Sequence, residues 1–567
     1  MNNTMNEDNV DAALSRPLLD EPPPPAYEDM MAAAAEAGES SPPPSYSELG
    51  ESNPESNSSL SSCRSKLGSR LRKIPTIAYI LIAIIGFLIL MFLSAAVFFP
   101  PPSTKIPDTT NQTNHTMPPP LTEGSVRDGD GPKGIHISFT ESPSEMHIQF
   151  STQNIGKPVV ELAAKDNPTD TKKFDGTSTT YLVTEMCEKN KSADVIKKFI
   201  PPGQLHTVRI TDLKPRTEYI YRAGVSTGQG IDWGDFIEFR SPALPGYIPP
   251  NNMNATKPLV TFLALADQGI DVAAKNVSNL ITTIVNNTNI DSIHIIGDLS
   301  YADGHTQIWG TYMDMIEPFA SRVPTMVAVG NHEYDYDTLG DGSKDASGVN
   351  TSDVFHPSWG GKTFHDEGGE CGVSIAKRFA APNNGNKIFW YSFQQELVHT
   401  VVLSSEHNMT VGSPQYAFLA KDLSSINRTI TPWVVVDVHR PLYNSEKYWT
   451  QDAVGLGMRN EIEELLYMNK VDLVLSGHYH GYLRSCDGVY REKCSSGGPM
   501  HVTLGTGGRP LDCHKSLIPN HYTDKFDGCN FGVGRVSVYN ASALHFEFVT
   551  LGEDVLDDVW LVRQRAS

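Results

Sequence analysis

The chain has 567 residues, and at roughly 150 residues per domain this length suggests three or four structural units. Its net charge is −21, and it has no basic tract outside one short cluster before residue 76. This balance excludes a protein that binds nucleic acid through phosphate contacts. Seven cysteines in a chain of this length exclude a small disulfide scaffold.

Residues 1–75 are rich in Pro, Ser, Ala and Glu, so we predict a disordered tail. The tail contains two PPxY sequences, which end at Tyr27 and Tyr46. Successive prolines pre-form a polyproline II helix that docks in aromatic grooves. Both sequences resemble ligands of WW domains, as found in HECT-type ubiquitin ligases, and both tyrosines begin YxxΦ patterns that resemble endocytic sorting signals. An inert Pro-rich spacer is the alternative.

Residues 76–99 form an apolar stretch of 24 residues without a charge. A helix of that length spans the hydrocarbon core of a bilayer, and the polar residues before it exclude a signal peptide. Basic residues crowd its N-terminal side, while the far side has only Lys105 before Arg127. The basic cluster consists of Arg64, Lys66, Arg70, Arg72 and Lys73. We therefore predict a single-pass type II protein with a cytosolic N-terminus and a lumenal or extracellular C-terminal part. Cys63 is a palmitoylation candidate or an unmodified thiol.

Two further features agree with this orientation. Ten glycosylation sequons follow the span, at Asn111, Asn114, Asn190, Asn254, Asn276, Asn286, Asn350, Asn408, Asn427 and Asn540. Six cysteines lie on the same side, where disulfides can form: Cys187, Cys371, Cys486, Cys494, Cys513 and Cys529. Six cysteines allow about 15 pairings, of which proximity favours Cys486–Cys494 and Cys513–Cys529.

Residues 100–131 are rich in Pro and Thr and are interpreted as a stalk. From Ile135 the apolar residues alternate with polar ones, as in IHISF and MHIQF, which is typical of half-buried antiparallel strands. The stretch Val208 to Gly224 resembles the E-to-F segment of fibronectin type III sandwiches, with a Pro-bearing corner and a tyrosine entering the next strand. We predict a sandwich over residues 132–244.

From residue 257 to 555 the pattern changes to short continuous apolar runs, such as LVTFLALAD, SIHIIGD and WVVVDVH. Such strands are covered on both faces. Helix-like stretches, among them Val272 to Asn286 and Asn460 to Met468, separate several of the runs. The pattern predicts an α/β domain with a layered sheet core.

Donor side chains follow these runs at the points where the strands should end. They are Asp267, Asp298, Tyr301, Asn331, His439, His478 and His480. Ligands of α/β sheets gather at the carboxyl ends of strands, so we expect all seven to converge on one rim. Carboxylate, phenolate, amide and imidazole donors suit a pair of metal ions. Each motif alone is weak evidence, because a single polar group at a strand end is often only a satisfied loop residue.

The blocks ADQG, GDLSY, GNHE, VDVH and GHYH resemble those of the purple acid phosphatases, within the metallophosphoesterase superfamily. The resemblance runs from about Lys133 to Leu551. Longer stretches, including SRVPTMVAVGNHEYD and TPWVVVDVHRPLYNS, resemble the branch that contains plant diphosphonucleotide phosphatase/phosphodiesterases. The resemblance to purple acid phosphatases implies a four-layer α/β sandwich preceded by a fibronectin type III-like β-sandwich, here with an N-terminal transmembrane helix.

The resemblance also implies two metals. Fe(III) would be held by Asp267, Asp298, Tyr301 and His480, and a divalent Zn, Mn or Fe by Asp298, Asn331, His439 and His478. Charge transfer from Tyr301 to iron would colour the protein purple. The metals would supply hydroxide to attack phosphorus and would neutralise the phosphate. His332 would hydrogen-bond the phosphate, unless its ring is fixed only for packing.

One departure from the family concerns the acid that protonates the leaving group. Many plant members have adjacent histidines about ten residues after the VxxH histidine, where this chain has Tyr448 and Trp449. No histidine occurs between His439 and His478. Members without the pair have sometimes been labelled possibly inactive, but the complete donor set favours activity, with His407, Tyr448 or water as the acid.

The sequence therefore predicts a membrane-anchored acid phosphatase that hydrolyses phosphate monoesters or anhydrides by a dinuclear metal-hydroxide mechanism. If the protein is an enzyme, the alternative function is that of a nucleotide pyrophosphatase/phosphodiesterase. If it is not an enzyme, the alternative is a trafficking adaptor with a PPxY tail and a catalytically silent ectodomain. The substrate, the divalent metal, the oligomeric state and the compartment, endolysosome-like or cell surface, stay open.

Overall fold

The computed structural model describes residues 131–186, 193–248, 257–334, 346–348, 368–446, 452–513 and 517–563. All of them belong to one compact unit, Thr122–Ser567. The predicted tail with Tyr27 and Tyr46, the predicted membrane helix, the stalk, and the pair Tyr448 and Trp449 lie outside the described residues. None of the helices in the described ranges is long and apolar enough to cross a membrane.

The N-terminal part is an antiparallel β-sandwich, as the period-two pattern predicts. Its strands are β1 (Lys133–Phe139), β2 (Met146–Thr152), β3 (Lys157–Ala164), β4 (Lys172–Asp175), β5 (Thr177–Thr179), β6 (Gln204–Ile210), β7 (Glu218–Thr227), β8 (Gly230–Trp233) and β9 (Ile237–Arg240). One sheet has the order β1-β2-β6-β5 and the other β4-β3-β7-β8, with β9 paired to β7. A short helix, α1 (Ala193–Lys198), and a 3-10 turn, Val183–Glu185, precede β6.

The predicted corner before β7 is present. Tyr219 and Leu213 are buried in the core between the two sheets. The backbone N–H of Lys214 donates to the Tyr219 hydroxyl at 2.9 Å, so the buried phenol has a hydrogen-bond partner. This contact ties the Pro-bearing turn to the strand that follows it, as in the tyrosine corner of sandwich domains.

The C-terminal part contains two mixed sheets and five helices among the described residues. The strands are β10 (Val260–Leu265), β11 (Ser292–Ile296), β12 (Thr325–Ala328), β13 (Tyr391–Gln395), β14 (Val398–Leu403), β15 (Trp433–Val438), β16 (Leu473–Ser476), β17 (Tyr482–Ser485), β18 (Val489–Tyr490), β19 (Lys493–Cys494), β20 (Met500–Leu504), β21 (Thr523–Asp527), β22 (Gly532–Val538), β23 (Ala543–Thr550) and β24 (Val555–Val562). The helices are α2 (Val272–Asn287), α3 (Thr306–Ala320), α4 (Val373–Arg378), α5 (Pro414–Ser425) and α6 (Asp452–Met468).

The two large sheets share a common design, in which parallel strands carry antiparallel neighbours. The first has the order β12-β11-β10-β22-β23-β24, and its strands β10, β11 and β12 are parallel. The second has the order β13-β14-β15-β16-β20-β17-β21, with β14, β15, β16 and β20 parallel. Because parallel strands are joined by crossover connections, their carboxyl ends lie along one edge of each sheet.

Both sheets contribute to one continuous hydrophobic core. Strands β10, β11, β14 and β15 are buried at every position, which is why the sequence shows them as continuous apolar runs. The sheets are also joined by polar contacts: His294 on β11 forms an ion pair with Asp437 on β15 at 2.9 Å. The α/β prediction for this part of the chain is therefore confirmed.

The predicted helix boundaries hold closely for α2 but not for the start of α6. Helix α2 begins at Val272 as predicted and ends one residue later than predicted. Helix α6 begins at Asp452, eight residues before the predicted Asn460. Two glycines, Gly455 and Gly457, lie in this first part and disfavour helix by about 1 kcal/mol each. Val454 and Met458 are nevertheless buried in the core, so packing outweighs propensity there.

The sandwich is fixed against the C-terminal part by polar contacts. The Tyr221 hydroxyl donates to the backbone oxygen of Ser321 at 2.7 Å, just after α3. The backbone N–H of Gly134 donates to the Glu317 carboxylate at 2.9 Å. Two further ion pairs join the parts, Arg216–Glu396 and Arg240–Asp291. The sandwich and the α/β part therefore belong to one compact unit.

Both disulfides that proximity favours are present. Cys486 is bonded to Cys494 and Cys513 to Cys529, with Cα–Cα distances of 6.0 and 4.6 Å. Cys371 is also disulfide-bonded. Disulfides persist in oxidising compartments, which is consistent with a lumenal or extracellular position of this part of the chain.

Candidate metal centre

The seven predicted donors lie where the parallel strands end. Asp267 and Asp298 each come two residues after β10 and β11, and Asn331 comes three residues after β12. His439 follows β15 directly, and His478 comes two residues after β16. The first sheet thus supplies oxygen donors and the second supplies imidazoles. The two sets meet at the seam between the sheets, as expected for ligands at the carboxyl ends of strands.

One half of the site contains Asp267, Tyr301 and His480. The Tyr301 hydroxyl donates to Asp267 Oδ1 at 3.0 Å and lies 3.1 Å from His480 Nε2. His480 Nε2 is 3.5 Å from Asp267 Oδ1. Three donor atoms from three separate segments are therefore close enough to share one ion.

The other half contains Asp298, Asn331, His439 and His478. His439 Nε2 lies 3.2 Å from Asp298 Oδ2 and 3.2 Å from Asn331 Oδ1. Asp298, His439 and His478 each offer a ligand atom within 4.8 Å of the others. The seven predicted donors therefore lie in two groups, with Asp298 in the second; that Asp298 also serves the first group, as the family resemblance implies, stays a prediction.

Four of the donors have left-handed backbone conformations. The φ angles are 58° at Asp267, 51° at Asp298, 51° at Tyr301 and 70° at His478. Residues other than Gly seldom adopt this region, and such strain clusters at functional sites where the surroundings over-determine it. Here the four residues follow the ends of buried strands, where the surrounding structure holds their backbone in this conformation.

Small residues make this crowding possible. A Cβ atom at Gly330 would lie 2.2 Å from Asp298 Oδ1, and one at Gly477 would lie 2.5 Å from Asp267 Oδ2. Both distances are far below van der Waals contact. A side chain at Gly330 or Gly477 would collide with the Asp298 or the Asp267 carboxylate. These two glycines, in GNHE and SGHYH, are therefore needed for both carboxylates to occupy their places in the site.

Glu333, the last residue of the GNHE block, supports the site from behind. Its side chain is fully buried and accepts from the backbone N–H groups of Asp298, Leu299 and Gly330 at 2.8, 2.7 and 3.0 Å. Burial and the charge of Asp298 raise the pKa of Glu333 to about 8. The GNHE pattern alone does not give Glu333 this role, because the contact with Asp298 joins residues 35 positions apart.

The buried donors shift one another's pKa. Burial, with the charges of Asp267 and Asp298, raises the pKa of Tyr301 well above its ordinary value. Although burial opposes it, the Asp298 carboxylate raises the pKa of His439 to about 9. The raised pKa of His439 means that its proton offsets the negative charge of the Asp298 carboxylate. Metal ligands bind in deprotonated form, so a metal held by His439 and Tyr301 would displace their protons.

The donor set fits two cations. Asp267 and Asp298 are 0 % and 1 % exposed, and among the described residues neither carboxylate forms an ion pair with Lys or Arg. Two buried carboxylates without a permanent cation are costly unless a metal compensates them. Hard oxygen donors with imidazoles suit Fe, Zn and Mn. The residues present therefore fit the pair of metals that the resemblance implies.

His332 lies beside the donors. Its backbone N–H donates to Asp298 Oδ1 at 2.9 Å, and its Nδ1 is 2.8 Å from the Asp303 carboxylate. Its ring lies 4.1 Å from the Tyr301 ring, centre to centre. Asp303, in the segment GDLSYADG, thus orients His332, a role that the sequence analysis did not assign.

His407 has a different environment. It is 3 % exposed, its Nδ1 lies 2.7 Å from Ser404 Oγ, and its ring packs 4.3 Å from Tyr334 and 4.9 Å from Phe389, centre to centre. An aromatic cluster of this kind suits a ring held by packing. The role of His407 as leaving-group acid stays a prediction.

Two arginines that the sequence analysis did not consider lie at the rim. Arg440 directly follows His439, and its Nη1 lies 3.1 Å from His478 Nε2. The Arg509 guanidinium lies 4.2 Å from the centre of the Tyr301 ring, a cation–π arrangement. Arg440 adjoins the VDVH block at the end of β15 and Arg509 lies five residues after β20, but the spacing of the blocks does not show that either arginine reaches the donors.

Comparisons with known proteins identify the family. Residues 132–241 match the purple acid phosphatase N-terminal domain, 260–482 the calcineurin-like phosphoesterases, and 498–558 the C-terminal region of iron/zinc purple acid phosphatase-like proteins. The chain belongs to the purple acid phosphatase family. The family predicted from the strand-end motifs is thereby confirmed.

Individual relatives differ in their named activity. Purple acid phosphatase 22 of Arabidopsis thaliana is 29% identical over 477 residues, which cover 83% of this chain and 94% of the relative. Probable inactive purple acid phosphatase 9 of the same plant is 28% identical, and the match covers 76% of this chain but 66% of that protein. A nucleotide pyrophosphatase/phosphodiesterase of Hordeum vulgare is 27% identical, covering 59% of this chain and 89% of the relative.

A solved structure shows the same fold. The purple acid phosphatase isolated from yellow lupin (Lupinus luteus) seeds superposes with a TM-score of 0.65 at 25% identity, covering 76% of this chain and 75% of that one. The coverage spans both the β-sandwich and most of the α/β part. The family architecture, a β-sandwich in front of a metallophosphoesterase domain, therefore applies to this chain.

Proposed function

We propose that this purple acid phosphatase family member is a membrane-anchored acid phosphatase that hydrolyses phosphate monoesters or anhydrides outside the cytosol. The observation that carries the proposal is the convergence of seven donors on one buried rim. Asp267, Asp298, Tyr301 and His480 would hold Fe(III). Asp298, Asn331, His439 and His478 would hold a divalent Zn, Mn or Fe.

When bound, the two ions would lower the pKa of a water molecule that attacks phosphorus and would neutralise charge on the phosphate. The chain's own residues do the rest. Glu333 holds the turns that carry Asp298 and Asn331, so the donors are preorganised. His332, oriented by Asp303 at 2.8 Å, donates a hydrogen bond to a phosphate oxygen.

The presence of relatives named inactive makes activity itself part of the proposal. A silent ectodomain, as in the adaptor alternative, has no need of a full donor set. Here all seven donors are present, together with Glu333 and Asp303 that support them. The completeness of the set supports an active enzyme.

A nucleotide pyrophosphatase/phosphodiesterase is the second candidate. The relative of that name from Hordeum vulgare is 27% identical over 354 residues. Cleavage of intact diesters in preference to monoesters would favour this candidate.

The location and partners are proposals from the sequence. A type II membrane protein would place the disulfides Cys486–Cys494 and Cys513–Cys529 outside the cytosol, where they are stable. The PPxY sequences at Tyr27 and Tyr46 would remain in the cytosol and could bind WW-domain proteins. Protease protection of a tagged N-terminus in sealed microsomes tests this orientation.

The function is tested with the full chain purified in detergent. We expect two metals per chain and hydrolysis of nitrophenyl phosphate at acidic to neutral pH. Asn331→Ala and His439→Ala each remove one donor of the divalent ion, so we expect loss of that ion and of nearly all turnover. Metal analysis and steady-state rates measure both.

His147→Ala is the matched control. His147 lies on β2 in the sandwich, apart from the predicted metal ligands, so metal content and turnover should not change. Wild-type activity in protein shown to be free of metal would overturn the proposal.

A further inference from the structure

We propose that Asn427 carries an N-linked glycan and that this glycan covers an exposed apolar patch beside it. The inference goes beyond the proposed hydrolysis. It shares with the proposed function only the position of this part of the chain outside the cytosol. It follows from three observations: the conformation of the sequon, the anchoring of its loop, and the position of the patch. The patch consists of Leu244, Tyr247, Ile248 and Ile430.

The sequon Asn427–Thr429 lies in the loop between α5 and β15. Asn427 Oδ1 accepts from the backbone N–H of Thr429 at 3.0 Å and from its hydroxyl at 2.7 Å. This arrangement is an Asx turn, and it fixes the side-chain amide in one orientation. Both residues are exposed, and Asn427 Nδ2 donates no hydrogen bond to any described residue. The nitrogen that would carry the sugar therefore faces solvent.

Asn427 differs from the other sequons that lie in the described ranges. Asn408 and Asn540 form the same Asx turn but are half-buried. Asn276 and Asn286 are exposed but belong to α2 and form no such turn. Within the part of the chain that the structure describes, Asn427 is thus the sequon asparagine that combines exposure with an Asx turn. A bulky sugar suits a surface loop of this kind.

Arg428, the middle residue of the sequon, anchors the loop. Its Nη1 donates to the backbone oxygen of Pro432 at 2.8 Å and to Asp472 Oδ2 at 3.0 Å. Its Nη2 donates to the backbone oxygen of Asn469 at 2.6 Å. The Asp472 side chain is buried, so the guanidinium is held against the body of the α/β part. The residues on either side of Arg428 are therefore held at the surface.

The apolar patch begins one turn after the sequon. The backbone N–H of Ile430 donates to Asn427 O at 2.9 Å. A Cβ atom at Gly246 would lie 3.1 Å from Ile430 Cγ2, which places the segment from residue 244 to 248 against Ile430. Large apolar side chains exposed together mark a surface that binds something or promotes aggregation. The exposed fractions are 46 % for Leu244, 38 % for Tyr247, 50 % for Ile248 and 40 % for Ile430.

The modification is a glycosyl transfer from an oligosaccharide that is linked to a lipid diphosphate. Asn427 Nδ2 forms a bond to the anomeric carbon of the sugar, and the bond from that carbon to the diphosphate oxygen breaks. The electron pair leaves with the diphosphate, and the amide loses one proton. The attached glycan is bulky and solubilising. Its C–H groups cover the apolar side chains of the patch while its hydroxyl groups stay in water.

The first test measures occupancy on the full chain, purified in detergent from cells that glycosylate secreted proteins. Enzymatic release of glycans in heavy-oxygen water converts each modified asparagine to labelled aspartate, which peptide mapping detects. We expect the label at Asn427, and Thr429→Ala should abolish it although the asparagine is kept. An unlabelled Asn427 in protein labelled at other sequons would overturn the inference alone. Protein without label at any sequon would refute both the inference and the proposed position outside the cytosol.

The second test measures the shielding of Tyr247 by its rate of oxidation with hydroxyl radicals. Asn427→Gln and Thr429→Ala should both raise this rate, because the side chain loses its cover. Phe236, exposed between β8 and β9, is the internal reference, and its oxidation rate should not change. Asn114→Gln, which removes a sequon of the predicted stalk, is the matched control and should leave the rate at Tyr247 unchanged.

Removal of the glycans from folded wild-type protein with an endoglycosidase gives the same comparison without a substitution. The oxidation rate of Tyr247 should rise as in the variants, so a folding defect of a variant does not decide the outcome. An unchanged rate after removal would refute the shielding. The patch would then be open to a protein partner or covered by another segment of the chain.

Discussion

The proposed role of Tyr301 can be tested directly by the visible absorption of the protein. Its hydroxyl contacts Asp267 and His480 at 3.0 and 3.1 Å, and only a phenolate at this position can give charge transfer to Fe(III). We expect Tyr301→Phe to abolish a visible absorption band while the circular dichroism spectrum stays unchanged, because the ring keeps its volume. If oxidised wild-type protein with stoichiometric iron is colourless, the assignment of Tyr301 is wrong.

His407 tests the search for a leaving-group acid. Because its ring is enclosed by Tyr334 and Phe389, we expect His407→Ala to leave a cavity and cost about 2–4 kcal/mol of stability. The rates on alkyl and aryl phosphates should then fall equally or not at all. Thermal unfolding and parallel assays of both substrates measure these effects. A selective loss on alkyl phosphates would instead identify His407 as the acid.

At the scale of elements, the segment after β20 supports the half of the site for which we propose iron. The Arg509 backbone N–H donates to Asp267 O, and the Asp512 N–H to His480 O, at 3.0 and 2.8 Å. The backbone oxygen of Pro510 lies 3.0 Å from His480 Nδ1. This segment ends at Cys513, whose disulfide to Cys529 anchors it.

Removal of that disulfide should therefore affect one metal more than the other. We expect the double change Cys513→Ser and Cys529→Ser to lower iron occupancy more than occupancy of the divalent ion, because the anchored segment contacts Asp267 and His480. The matched control is Cys486→Ser with Cys494→Ser, a closed loop elsewhere in the same part of the chain. Metal analysis of both variants decides the matter, and equal losses of the two metals would contradict the expectation.

The strands and the seven donors could be predicted from sequence because each signal is local: an apolar run and the polar residue that ends it. The start of α6 could not, because Gly455 and Gly457 are read as helix breakers while their buried neighbours decide the structure. Glu333 and Asp303 were missed for a related reason. Their roles depend on contacts with Asp298 and His332, 35 and 29 positions away in the chain, and no local pattern encodes those contacts.

At the scale of the whole molecule, the metal site joins two sheets. Asp267, Asp298 and Asn331 come from the first sheet and His439 and His478 from the second. Ions bound at this seam stabilise the native state by mass action. We expect chelation of both metals to lower the unfolding temperature, measured by differential scanning calorimetry.

The control for this prediction is the double variant Asp267→Asn and His439→Ala, which loses a donor from each half. The chelator should not change its unfolding temperature. The decisive comparison is made on wild-type protein from which metal analysis shows that both ions have been removed. If its unfolding temperature is unchanged, the ions do not stabilise the contact between the two sheets.

The spread of the donors along the chain also sets the order of events during synthesis. The first donor is Asp267 and the last is His480, and the contacts that hold His480 come from Pro510 and Asp512. A nascent chain that ends before residue 439 carries the oxygen donors without any of the three imidazoles. The complete donor set can therefore assemble only when nearly the whole polypeptide has left the ribosome. Metal acquisition would then be a late step of maturation, and truncated products would not compete for the ions with the same donor set.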